Sequence, residues 1–311
     1  MTEAISHAKP DAKPDAWGDF WKDNARSDGG GCLPAAYRSI SDAQAQAWFS
    51  FARILPAKAR VLDLATGDGR VMGWMLRARP KARLTGCDLA PTLPEPPRGT
   101  KVRAGVAMED LPYHPDAFDA VISQFGFEYG DTQQVAAEVA RVLKPGGRVA
   151  LITHRADGPI LAHNLARRAQ LQWALEERGV VRLAKKSLVL KQAGIASVPD
   201  AIVQAVRDGV QQFGPQSAAW EISEAVRQTL VLGARDTSAN LAAMLDMIAA
   251  KAANELGRIA SLEAACRRTQ DAAGFDAAIS AGGLVETNCA PLTTNSETTP
   301  FADQRYLQHA D

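Results

Sequence analysis

VLDLATGDG, Val61 to Gly69, reads as a buried β-strand that breaks into a glycine-bearing turn. Val61, Leu62 and Leu64 form the short, branched apolar run of a strand covered on both faces. Gly67 and Gly69 release the backbone at the carboxyl end of that strand, where a ligand can approach the main chain because no Cβ intervenes. VMGWMLRA, Val71 to Ala78, follows as a helix whose amino terminus offers unpaired N–H groups to whatever sits in the turn. Strand, glycine turn and helix in this order predict a cofactor cradle in an open α/β sheet.

Dinucleotide-binding folds share such a turn, so the surrounding residues must discriminate. Asp63 lies four residues before Gly67, where a carboxylate facing two phosphates would gain nothing. A sulfonium with an amino-acid tail is the better partner, since its ammonium and its positive sulfur both attract negative charge. RLTGCDLA, Arg83 to Ala90, reads as a second strand ending in Asp88, at the distance from the first turn where an acidic residue takes ribose hydroxyls. AMEDLPYHPDAFDAVISQFGFEY, Ala107 to Tyr129, then adds a turn, an Asp-bearing bend and a hydrophobic strand, an order foreign to common dehydrogenases.

On these residues the chain resembles the class I S-adenosylmethionine-dependent methyltransferases, the small-molecule group that includes ubiquinone and menaquinone C-methyltransferases. The resemblance covers residues 40 to 155, with a weaker echo at the carboxyl end. It implies a Rossmann-like, doubly wound α/β sheet of seven strands, the last antiparallel, and S-adenosylmethionine as cofactor. It places Asp63, Ala65, Thr66, Gly67 and Gly69 around the methionine portion, gives Asp88 the ribose hydroxyls and sets Leu89 beside the adenine. Met108 and Glu109 stand where the family lines the adenine edge, with Leu111-Pro112 as the marker after it. Gln124, Phe125 and Gly126 close the fourth strand beside the transferred methyl group, and VLKPGGRVALI, Val142 to Ile152, matches the helix end, Pro-Gly-Gly turn and fifth strand. The chain departs from the family at Ala65, where glycine is usual, and at Ala107, where an aspartate often meets the adenine amino group. Either Glu109 or Asp110 takes that contact, or it is absent.

The 311 residues suffice for a large core, and 46% hydrophobic with 23% charged residues is ordinary for a globular protein. Equal counts of 35 basic and 35 acidic residues create no net field for nucleic acid, which favours a small-molecule acceptor over DNA or RNA. Cys32, Cys87, Cys266 and Cys289 are far apart, lack metal-ligand spacing and read as reduced, buried thiols, so no metal is expected. No apolar run approaches the roughly 18 residues that span a bilayer. The amino terminus shows no signal-peptide core, and a cytoplasmic location is expected. The sequence leaves the oligomeric state open.

Residues 1–15, with KPDA at Lys9 and again at Lys13, lack apolar periodicity and read as a disordered tail. Residues 16–155 read as the cofactor-binding core with an amino-terminal helical arm. Trp17, Phe20 and Trp21 fall on one face of a short helix that either anchors this arm or forms a lid, with Asp28-Gly29-Gly30-Gly31 as its joint. Ser41 reads as the cap of a helix through Leu55, ended by Pro56. Residues 156–275 are helical in pattern throughout, too long for a simple crossover, and are expected to be a large helical cap inserted after the fifth strand. Helices are predicted at 159–178, 181–192, 199–212, 216–232 and 238–273, with Met244, Leu245, Met247, Ile248, Ala252 and Leu256 either packing on neighbouring helices or forming the inner wall of a substrate chamber. An insertion there lies at the ligand-binding edge of the sheet and shapes the acceptor pocket. Residues 276–311 complete the core with a helix at 277–282, a sixth strand from Leu284 to Thr294 and a seventh from Gln304 to His309.

Methyl transfer from a sulfonium is an in-line displacement, so the protein mainly aligns reactants and excludes water; a base is needed only where the acceptor atom carries a proton. His154, just past the fifth strand in LITHR, is the candidate base, and Glu128 and Tyr129 follow the fourth strand near the methyl group. Each has a quieter reading: His154 bonded to a loop carbonyl, Glu128 and Tyr129 paired with the cap. His163 is a further candidate. Arg167-Arg168 and Arg267-Arg268 either recognise an anionic acceptor or form ion pairs on exposed helix faces. The expected function is methyl transfer to an oxygen, nitrogen or carbon of a small, hydrophobic acceptor. The alternatives are a non-catalytic S-adenosylmethionine-binding protein of the same fold and an NAD(P)-dependent oxidoreductase, whose G-x-G-x-x-G the spacing of Gly67, Gly69 and Gly73 does not form.

Overall fold

The computed structural model describes residues 16–24, 38–192, 198–295 and 298–310. The tail expected at 1–15, the glycine joint at 28–31 and Cys32 lie outside the described residues. Strands β1 (Arg60–Leu64), β2 (Arg83–Asp88), β3 (Lys101–Ala104), β4 (Phe118–Gln124), β5 (Leu143–His154), β6 (Leu284–Leu292) and β7 (Ala302–His309) form one seven-stranded sheet in the order β3-β2-β1-β4-β5-β7-β6. Neighbours among β1 to β5 are parallel. β7 runs antiparallel between β5 and β6, as the resemblance implied for the last strand.

The chain winds from β1 outward to β3 on one side and returns to β4 and β5 on the other. The crevice outside the carboxyl ends of β1 and β4 is therefore the topological switch point, where open α/β sheets bind ligands. Helices α1 (Ala16–Asn24), α2 (Arg38–Ile54), α3 (Arg70–Ala78) and α4 (Thr132–Val142) accompany the first five strands. After β5 come α5 (Pro159–Gln172), extended by a π-helical turn at Trp173–Glu177, then α6 (Val180–Gln192), α7 (Asp200–Phe213), α8 (Ala218–Leu232), α9 (Ser238–Gln270) and α10 (Ala272–Ala281).

Strand alternation builds a core on each face of the sheet. Val61, Ile122 and Ile152 pack on one face with Trp48, Phe51, Met72 and Met75. Leu62, Leu64, Val121 and Leu151 pack on the other with Val139, Phe275 and Ile279. The helices after β5 have a core of their own, built from Trp173, Val180, Ile202, Val226, Leu241 and Leu245. Among the described residues no helix is long and apolar enough to cross a membrane.

Local expectations were corrected at several positions. Ser41 is inside α2, which begins at Arg38. The last long helix stops at Gln270 and α10 starts at Ala272, because the Asp271 side chain accepts the Gly274 N–H and opens a new helix. The sixth strand ends at Leu292 and the seventh begins at Ala302. Cys289 is exposed, and Met244 and Met247 point to solvent while Leu245 is buried. β3 went unseen because Lys101–Ala104 is short and mostly exposed, without apolar alternation.

Candidate active site

The turn after β1 carries three left-handed residues, Ala65 (φ 50°), Gly67 (φ 53°) and Gly69 (φ 71°). Glycine adopts this conformation freely, whereas Ala65 holds it under strain. Asp88, at the end of β2, ties the turn down: one carboxylate oxygen accepts the Gly67 N–H at 2.9 Å and the other the Ala90 N–H at 3.0 Å. Asp63 is buried beneath the turn and accepts a hydrogen bond from Thr66 Oγ1 at 2.6 Å. Burial pushes its carboxyl up to about 7 against the Thr66 hydrogen bond, and the nearby Asp88 and Asp68 carboxylates add to the rise.

These groups open onto a cavity of about 760 Å³, within the roughly 300–1,000 Å³ typical of small-molecule sites. Asp63, Ala65, Thr66, Gly67, Asp88, Leu89, Met108, Glu109, Gln124, Phe125, Tyr129 and His154 all line it. Gly69 does not; it stands at the start of α3 with Pro97 against it. Glu128 does not either; it lies behind His154, against that ring's Nδ1. Of the two carboxylates considered for the adenine edge, Glu109 lines the cavity and Asp110 does not, and one Glu109 oxygen already accepts the Asp131 N–H at 2.9 Å.

His154 and Glu128 form a buried pair. One Glu128 oxygen accepts from the His154 backbone N–H at 2.9 Å and lies 2.8 Å from His154 Nδ1. A carboxylate only accepts, so the proton is on Nδ1 and Nε2 is the nitrogen left for the cavity. The ring stacks on Phe125 at 4.1 Å and meets the edge of Tyr129 at 5.8 Å, and the His154 backbone carbonyl accepts from Thr269 Oγ1 at 2.8 Å. Phe125 itself has a left-handed backbone (φ 56°), and Gly126 beside it has no room for a Cβ against Ala65. Strain of this kind persists only where the surroundings over-determine it.

The remaining walls come from α1, α2, α5 and α9. Trp17, Phe20 and Trp21 all face the cavity, and Trp21 packs directly on Gly67. Arg258 of α9 lies over the Phe20 ring at 4.4 Å, and Asn254 Nδ2 donates to Ala16 O at 3.0 Å, which fastens α1 to α9. His163 and Arg167 of α5 line the opposite side. Arg167 is bridged to Glu255 at 2.6 Å and Glu221 at 3.1 Å, while Arg168 and Arg267 share Glu263. Arg268 donates to Glu128 O at 3.0 Å. Arg167 and Arg168 thus join α5 to α8 and α9, whereas Arg267 pairs within α9 and Arg268 ties α9 to the segment after β4. Sequence reasoning passed over Gln44, Asn164 and Arg258, which line the cavity. A signal existed for Gln44, which interrupts the otherwise apolar row of Ile40, Ala47, Trp48 and Phe51 on α2. Among the described residues no cluster of metal ligands occurs.

Residues 62–151 match the family described as "Methyltransferase domain". The chain carries a methyltransferase domain. The match, the strand order and the glycine turn after β1 agree with the resemblance drawn from the sequence. The chain is 38% identical over 101 residues to the ubiquinone/menaquinone biosynthesis C-methyltransferase of Desulfotalea psychrophila, covering 30% of this chain and 40% of that protein. It is 38% identical over 104 residues to the demethylmenaquinone methyltransferase of Thermus thermophilus, covering 31% and 47%. The malonyl-[acyl-carrier protein] O-methyltransferase of Herminiimonas arsenicoxydans is 29% identical over 209 residues, 66% of this chain and 74% of that one. The chain therefore spans less than half the length of the first two relatives it matches.

Proposed function

We propose that the protein transfers a methyl group from S-adenosylmethionine to an oxygen, nitrogen or carbon of a small, largely apolar acceptor. The observation that carries this reading is one cavity with two unlike ends. A carboxylate-bearing glycine turn lies at the β1–β2 end, and a clamped imidazole lies at the β4–β5 end. The first end fits the cofactor: Asp63 suits an ammonium or sulfonium, and Asp88 has carboxylate oxygens at the turn for ribose hydroxyls. When bound there, S-adenosylmethionine supplies a methyl carbon open to in-line displacement by the acceptor atom. The protein's own residues then hold the acceptor in line, and Trp17, Phe20 and Trp21 of α1 exclude water. His154 Nε2 receives the acceptor's proton, and Glu128 keeps the imidazole oriented and stabilises it once charged. The curated relatives are named for carbon and for oxygen methylation, which supports a shared cofactor end and leaves the acceptor to the helices after β5.

Titration calorimetry with S-adenosylmethionine, S-adenosylhomocysteine and NADH tests the cofactor end. Both adenosyl ligands are expected to bind, Asp88→Ala to weaken them at least tenfold, and NADH to give no heat. Binding of NADH alone would overturn the proposal. With an acceptor found by methyl-donor screening, His154→Ala is expected to lower kcat about 100-fold or more. Unchanged turnover across pH would leave alignment as the sole contribution.

A further inference from the structure

A chain of hydrogen bonds on the cavity wall has its polarity set at one end. The Trp48 indole can only donate, and its Nε1 donates to Gln124 Oε1 at 2.7 Å. Gln124 Oε1 is thereby the acceptor, so its amide nitrogen turns to Gln44, whose Oε1 accepts at 3.5 Å. Gln44 Oε1 is then committed as well, and Gln44 Nε2 is left over. That atom is buried, its residue lines the cavity, and it has no partner among the described residues. An orphaned buried donor lowers stability, and methionine or leucine at this place on the apolar face of α2 would avoid the loss. The donor's neighbours show what it serves. Asp63, Asp88 and the glycine turn occupy the β1–β2 end, whereas Gln124 adjoins Phe125, which stacks on His154.

We propose that Gln44 is a specificity-determining residue whose Nε2 donates a hydrogen bond to a carbonyl or carboxylate oxygen of the acceptor. Trp48 and Gln124 are positioning residues that keep this donor turned toward it. The inference rests on the methyl-transfer reading and names the acceptor chemistry that reading leaves open. It also fits the base: a carbonyl held by a donor acidifies the neighbouring position, from which His154 takes the proton.

The test titrates 2-heptanone, which offers an oxygen acceptor, and heptylamine, which offers donors, into protein saturated with S-adenosylhomocysteine. The native protein is expected to bind 2-heptanone at least fivefold more tightly than heptylamine. Gln44→Glu replaces the donor with an acceptor and reverses the order, while Gln44→Met, a substitution suited to a buried helix face, abolishes the preference. Trp48→Phe removes the fixed donor, lets both amides invert and erases the preference with S-adenosylhomocysteine affinity within twofold of native. A preference unchanged in Gln44→Glu and Gln44→Met overturns the assignment, as does the failure of native protein to bind 2-heptanone. Failure to bind S-adenosylhomocysteine defeats the proposed function itself.

Discussion

Asp63 couples the cofactor end to pH. Its carboxyl ordinarily titrates near 3.8 and is held at about 7 by burial. Between those values the unfolded chain has released the proton and the folded chain retains it, so stability falls as pH rises through this window and levels off above it. At about 1.4 kcal/mol per pH unit, the loss from this one residue is on the order of 4 kcal/mol. Asp63→Asn removes that slope, and urea midpoints at pH 5 and pH 8 measure it. A bound ammonium acts in the opposite sense, favouring the carboxylate. Binding of S-adenosylhomocysteine at pH 6 is therefore expected to release a proton, with affinity rising toward pH 7 and flat beyond. Calorimetry in buffers of different ionisation enthalpy reads the proton directly; an affinity constant from pH 6 to 8 would put the ligand's amino group elsewhere. Asp63 was legible because it stands inside a motif. Glu128 as a partner of His154 was not, since the two are 26 residues apart and only the adjacency of β4 and β5 joins them.

At the scale of the element, α1 and the turn after β1 work against each other's surface. The spacing of Trp17, Phe20 and Trp21 announced an apolar stripe but not its object, because what the stripe covers lies nearly 50 residues away at Gly67. A Cβ at position 67 would overlap the Trp21 ring, and φ there is 53°. Gly67→Ala is therefore expected to cost about 1–2 kcal/mol for the left-handed backbone alone and to displace α1 in addition. Combining it with Trp21→Ala relieves the overlap and leaves the backbone cost, so the double variant should be more stable than the sum of the two singles. Additivity within about 0.5 kcal/mol in urea unfolding would mean that α1 leaves the turn in solution. A second contact of this kind closes the other face of the sheet, where Gly282 after α10 sits against Ala136 of α4 with no space for a methyl group. Gly282→Ala is expected to destabilise by about 1–3 kcal/mol through overpacking, with S-adenosylhomocysteine affinity unchanged because neither residue borders the cavity. Long periodic elements were readable from the sequence for the reason these contacts were not. Periodicity is local, whereas the fit of Gly282 to Ala136 depends on how α10 returns after 130 residues of intervening chain.

The whole molecule depends on α9. Its 33 residues span about 50 Å at 1.5 Å per residue, and its buried side chains divide among three cores. Leu241 and Leu245 belong to the core of the helices after β5, Ala252 and Ile259 to a small cluster beside α5 and α8, and Leu262 and Cys266 to the sheet. Near its end Thr269 holds the His154 carbonyl and Arg268 holds Glu128 O. The sequence showed a single long helix over 238–273 but not that it would pack in both regions, since its pattern is only weakly one-sided. A rigid helix shared in this way links the two regions energetically: neither can lose its core without exposing apolar side chains that α9 presents to the other. Calorimetric unfolding is accordingly expected as one transition, with equal calorimetric and van't Hoff enthalpies. With the ligand held at the turn after β1, as proposed, S-adenosylhomocysteine should raise the melting of the distant helices together with the sheet. Ala252→Pro, which removes a helical hydrogen bond and breaks α9 between its cores, at a cost of about 3 kcal/mol or more, should split that transition in two and leave the ligand acting on the sheet transition alone. Two transitions in the native protein would mean that α9 bends freely at its middle, and the cavity wall formed by Glu255 and Arg258 would then move independently of His154.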